Sequence, residues 1–105
     1  MAYPYGLSEA ATEIVPKESS DAGKIAHSGN VYSISPQKDT GTLAYNRFEK
    51  FNLASGDIAN LLFGNSSTLA NLVQNRISID GIVNGIKDGK INGHLIFLSP
   101  DGIAV

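Results

Sequence analysis

Cysteine is absent from this 105-residue chain, which excludes disulfides and thiolate metal sites and removes cysteine pairing as a guide to compartment. Charge is scarce as well, at 17% of residues, and a net charge of −2 offers no basic field to displace the counterions of a nucleic acid. The eight Lys and Arg are dispersed, so nothing in the sequence points to an anionic membrane surface. No apolar run approaches the ~18 residues that cross a bilayer as a helix. The opening Met1-Ala2-Tyr3-Pro4-Tyr5 lacks both the basic and the apolar region of a signal peptide. The expectation is a protein that stays inside, or one whose leader has been removed.

Catalytic and metal-binding constellations are missing too. His27 and His94 are the two histidines, with no His-x-x-x-His pair and no acid–His–nucleophile spacing around them. Asp57, Asp80, Asp88 and Asp101 lack the alternating density of a calcium loop. The glycines from Gly85 to Gly93 lack the Lys-Ser/Thr and the helix start of a phosphate loop. The sequence thus predicts no enzyme, no cofactor, no metal and no small-molecule substrate.

What is present is turn chemistry and short apolar runs. The chain holds 11 Gly, 11 Ser and 9 Asn beside an ordinary 42% of hydrophobic residues, a balance that suits strands joined by turns. A helical bundle would carry more Lys and Glu on its outer faces. At this length the chain makes one domain with a modest core.

The stretch from Arg76 to Val105 repeats one pattern. Ser78-Ile79-Asp80-Gly81-Ile82 returns as Ser99-Pro100-Asp101-Gly102-Ile103, and each copy leads into a short apolar run. Turn glycines recurring at roughly 20 residues describe one coil of a parallel β-solenoid. This reading places Ile82 and Ile103 in adjacent coils, about 4.8 Å apart. Asp80 and Asp101 then act as turn caps, with Gly81 and Gly102 taking the next position, where positive φ is available.

A helix competes locally, because Leu69, Leu72, Val73, Ile79, Ile82, Val83 and Ile86 also fall at helical spacing. Gly81 and Gly85 would sit inside that helix at about 1 kcal/mol each, and most of its apolar residues are β-branched. Strands are therefore expected from 77 to 105, while a helical turn or two stays open for 57–75.

Residues 1–23 read as an N-terminal arm or cap, and 24–105 as the core. Gly29-Asn30 marks a turn before a strand Val31–Ser35, and Leu43-Ala44-Tyr45 begins another. Phe48 and Phe51 are the large apolar anchors; their spacing of three requires the strand to bend once between them. Asn46 and Asn52 flank the pair.

The string Gly41-Thr42-Leu43-Ala44-Tyr45-Asn46-Arg47-Phe48-Glu49-Lys50-Phe51-Asn52-Leu53 resembles the Asn-x-Phe-x-x-Phe-Asn-Val signature of two-partner secretion domains. These stand at the N-terminus of filamentous haemagglutinin-like exoproteins. The resemblance continues through Asn71-Leu72-Val73, Ile79–Ile82 and Gly93–Ile103, where Ser99-Pro100-Asp101-Gly102 resembles the family's Asn-Pro-Asn-Gly. Ser99 and Asp101 replace its two asparagines, and its earlier Asn-Pro-Asn-Leu segment has no counterpart near Arg76-Ile77-Ser78.

The resemblance implies an all-β fold, a right-handed parallel β-helix with an N-terminal cap, of which this chain is the first half. It implies secretion or display at the cell surface through an outer-membrane β-barrel partner, for a larger adhesin, haemagglutinin or cytolysin of Gram-negative type. Asn46, Phe48, Phe51, Asn52, Ser99, Pro100, Asp101 and Gly102 carry over as its recognition residues. A solenoid ending at Val105 leaves an open strand edge, from which self-association is expected. The alternative is a free-standing β-rich binding module with no secretion role.

Overall fold

The chain alternates short strands with turns, and a computed structural model, which describes residues 11–104, resolves these into an all-β fold. The N-terminal segment supplies β1 (Glu13–Pro16), a 3-10 helix (Ser19–Lys24) and β2 (Ile25–Ser28). A first pass follows, with β3 (Val31–Ile34), the short β4 (Lys38–Asp39) and the long β5 (Leu43–Leu53). A second pass contains β6 (Ile58–Leu62), β7 (Thr68–Val73) and β8 (Ile77–Ile79). The third consists of β9 (Ile82–Lys87), β10 (Lys90–Ile91), β11 (His94–Leu98) and β12 (Ile103–Ala104).

Successive passes stack in parallel register in two sheets. In one, β3 pairs with β6 and β6 with β9, aligning Val31, Ile58 and Ile82. In the other, β5 pairs with β7 and β7 with β11, aligning Leu43, Thr68 and His94. The far end of β5 pairs with β8, and β8 with β12.

The first pass is covered by antiparallel strands: β1 and β4 on β5, and β2 on β3. Of these strands only β1 belongs to the N-terminal arm expected at residues 1–23, while β2 and β4 come from the expected core; residues 1–10 of that arm lie outside the described residues. No helix forms between 57 and 87, so the strand reading holds there, and the turn of helix left open for 57–75 is replaced by β6 and β7.

The stacking period, however, is longer than the interval from Ile82 to Ile103. Ile103 pairs with Ile77, and Ile82 pairs with Ile58. Ile82 and Ile103 are therefore not neighbours in the stack. The two Asp-Gly-Ile segments occupy different corners. Asp80-Gly81 lies against the turn Ala54–Asp57, where Asp80 N donates to Leu53 O and Ile82 N to Asp57 O. Asp101-Gly102 lies above the corner at Asn75 and precedes β12, with Gly102 O accepting from Ile77 N. Similar turn chemistry produced a similar local string, and the string carried no information about the stack.

The core fills the space between the sheets. Ala44, Phe48, Phe51 and Leu53 of β5 face Ile34, Ala59 and Leu61 of the other sheet, with Leu69, Val73 and Ile77 completing the second pass. Phe48 and Phe51 both point inward because Glu49 and Lys50 between them remain outside. This is the expected bend, and the register of β1 slips at the same place, with Val15 opposite Lys50 and Pro16 opposite Phe48. The two rings meet edge to face at 5.3 Å, and Phe51 meets Phe97 of the third pass at 5.1 Å. Phe63 is a third buried ring. It lies so close over Gly85 and Gly93 that a Cβ on either would approach it to 2.9 and 2.6 Å. The glycine run thus makes room for an aromatic ring as well as turns.

Two buried amides run through this core as a ladder. Asn46 and Asn71 are fully buried, and Asn46 Nδ2 donates to Asn71 Oδ1 at 3.0 Å. Gln37 N closes the ladder on one side by donating to Asn46 Oδ1, and Asn71 Nδ2 closes it on the other by donating to Ile96 O. An amide whose partner is removed keeps its desolvation cost, about 1–3 kcal/mol. Asn71→Leu should therefore destabilise by that amount, and so should Asn46→Leu. The double variant should cost clearly less than the sum, because neither side chain then strands the other. Urea denaturation of the four proteins checks this, and additive losses would show that the two amides are not coupled.

On the same side of the molecule, Asp39 fastens the first pass to the second. Its carboxylate accepts from Asn65 N (2.7 Å), Ser66 Oγ and Gly41 N (2.9 Å). These bonds, Asn65 first, hold its pKa below the ordinary carboxylate value, with a smaller contribution from the charge of Lys87. A carboxylate with a depressed folded-state pKa stabilises fully above its unfolded value and loses that contribution as pH falls through the folded value. Wild-type stability should thus decline below about pH 4 more steeply than that of Asp39→Asn. Denaturation midpoints measured across that range test it; parallel curves would show that Asp39 is not the group responsible.

Candidate partner-binding groove

The residues singled out in the sequence separate into an interior set and a surface set. Asn46, Phe48 and Phe51 are fully buried and Asn52 is half-buried beside Ser78. In the folded domain Asn46 is committed to its ladder and does not face a partner. Pro100, Asp101 and Gly102 are at the surface, and Ser99 is half-buried. Ser99 Oγ donates to Asn75 O and accepts from Asp101 N, so the serine organises the turn. Asn75 Nδ2 in turn donates to Glu49 O, which stacks the three corners of successive passes on one another. Asp80 and Gly81 hold the opposite corner, against the turn Ala54–Asp57. His27 and His94 are both exposed, and His27 stacks on Tyr32 at 4.0 Å between ring centroids. Among the described residues no group of three His, Asp or Glu is placed to hold a metal ion.

The two motif segments meet at one groove of about 350 Å³, whose lining includes Phe48 of the first pass and Ser99 and Pro100 of the third. It lies on the outer face of the β5–β7–β11 sheet, where that sheet turns its corner. Arg47, Leu72 and Leu98 are aligned across it by the parallel register, one from each pass. Neighbouring strands are about 4.8 Å apart, so this row spans roughly 10 Å. Leu72 is 42% exposed and Leu98 55%, unusual values for leucines inside strands.

Lys17, just beyond β1, closes the first-pass end of the groove, and its Nζ donates to Gln74 Oε1 at 2.9 Å. Arg47 is held through its backbone: Arg47 N donates to Gln37 Oε1, and Arg47 O accepts from Gln37 Nε2. Among the described residues neither Lys17 nor Arg47 forms an ion pair, and no acid lines the groove. One end is thus cationic and the floor apolar.

Sequence reasoning placed Arg47 inside a motif but gave it no role, and did not single out Lys17, Leu72 or Leu98 as site residues. Arg47, Leu72 and Leu98 follow one another at the stacking period, but that period is set by the strand register and not by the sequence repeat. Searches against protein-family models, curated proteins and solved structures find no match to this chain.

Proposed function

We propose that the chain is the N-terminal part of a right-handed parallel β-helix and serves as a secretion and recognition domain for a larger exoprotein. In this reading it is read by an outer-membrane β-barrel transporter and delivers an adhesin, haemagglutinin or cytolysin to the cell surface or medium. The observation that carries the reading is a parallel stack of passes whose first pass is capped by antiparallel strands. Antiparallel strands cap the first pass, whereas β11 and β12 pair with the second pass along one edge only among the described residues. β10 folds back on β9 at Ile86 and Lys87 alone. A stack that begins with a cap can grow one coil at a time as the chain emerges from a pore. The resemblance of residues 41–53 and 93–103 to the family signature supports the same reading.

The outer edge of β11 and β12, unpaired among the described residues and flanked by exposed Ile103 and half-buried Phe97, also suits pairing with a second copy of the chain at tens of micromolar. Export is tested by placing the chain between a cleavable leader and a reporter enzyme, in cells with and without a barrel of the two-partner type. The expected result is reporter activity in the medium only with the barrel. Equal activity with and without it would overturn the proposal and favour a free-standing binding module.

A further inference from the structure

We infer that the groove at Arg47, Leu72 and Leu98 seats a short extended segment of the partner protein, bearing one carboxylate followed by apolar side chains at alternate positions. This rests on the recognition reading above and specifies the chemistry of the contact. Charge complementarity selects the occupant. Lys17 and Arg47 stand together at the first-pass end without an acid among the residues that line the groove. Leu72 and Leu98 continue from them as an exposed apolar row toward Pro100.

An extended peptide presents every second side chain to one side, at about 6.6 Å intervals. An acid at one position therefore reaches the guanidinium while the residue two along lies over the leucines. The backbone of Arg47 is pinned at both its N–H and its carbonyl by Gln37, so its side chain is presented at a fixed point on the strand. The groove is open and shallow, which suits a peptide whose own backbone stays solvated better than a buried apolar chain. Arginine pairs with a carboxylate through two parallel bonds, which gives orientation as well as attraction.

The test uses the full chain and two probes, acetyl-Glu-Thr-Leu-Thr-Leu-amide and the same peptide with Gln for Glu. Amide chemical shifts are followed by NMR up to millimolar peptide. The Glu peptide should shift residues around Arg47, Gln74 and Ser99, and the Gln peptide should bind about threefold more weakly, the scale of one exposed ion pair. Arg47→Gln should weaken the Glu peptide about threefold without affecting the Gln peptide. Leu98→Ser should weaken both. Both changes are at exposed side chains, so the variants should keep the wild-type spectrum. Equal affinity for the two peptides, shifts located elsewhere, or no saturable shifts would overturn the inference. In the export assay, a wild type that is exported beside an Arg47→Gln, Leu98→Ser double variant exported equally well would overturn the groove contact and leave the secretion reading standing. Failure of wild-type export with binding intact would overturn the secretion reading alone.

Discussion

Phe51→Ala is expected to remove about 3–5 kcal/mol of stability, the usual cost of deleting a fully enclosed aromatic ring. A domain of this size has about 5–15 kcal/mol in total, so the variant should be largely unfolded at modest denaturant or on mild warming. The magnitude follows from the position of the ring. Phe51 is fully buried and meets Phe48 and Phe97 edge to face, so its loss opens a cavity bordered by the first and third passes at once. The rigid strands on either side cannot collapse into that space without breaking register. Urea denaturation followed by circular dichroism measures the loss. A decrease below about 1 kcal/mol would mean that the ring is not enclosed between the first and third passes.

The second large effect should come from Gly81→Ala, with Gly102→Ala as its control. A Cβ on Gly81 would lie 2.3 Å from Asp57 O and 2.6 Å from Ala54 O, and both are backbone atoms of the turn packed against it. That turn is itself tied down: Thr12 Oγ1 donates to Asp57 Oδ2 and accepts from Ala54 N. The turn cannot retreat without releasing β1, so about 3 kcal/mol is expected. Gly102 has φ +87 but nothing within 4 Å of an added Cβ. Alanine there should cost only the left-handed backbone penalty, about 1 kcal/mol. Equal losses at the two sites would show that the turns do not stack as described.

These two glycines show where the sequence could be read and where it could not. Asp-Gly-Ile announces a turn in both places, and a turn is present in both. The reason for glycine differs, however: positive φ at Gly102, and close approach of a neighbouring pass at Gly81, whose φ is ordinary. A single segment contains the first kind of information, because dihedral preference is local. The second kind depends on what lies a whole pass earlier in the chain, and no local string records it.

The same limit explains the misassigned neighbours of Ile82 and Ile103. It also explains Asn46, whose place beside the aromatic pair gave no sign that Asn71 lies opposite it on the neighbouring strand to receive its amide. The aromatic pair was legible because spacing and size are local. The groove was not, since Arg47, Leu72 and Leu98 come together only through the register.

The core, the amide ladder and the groove all depend on that register, and inter-strand backbone NOEs of the uniformly labelled chain test it most directly. Cross-strand contacts are expected from His94–Leu98 to Thr68–Leu72, and from Ile103 to Ile77 and Ser78. Contacts between Ile103 and Ile82, or sequential helical contacts through residues 69–87, would contradict it.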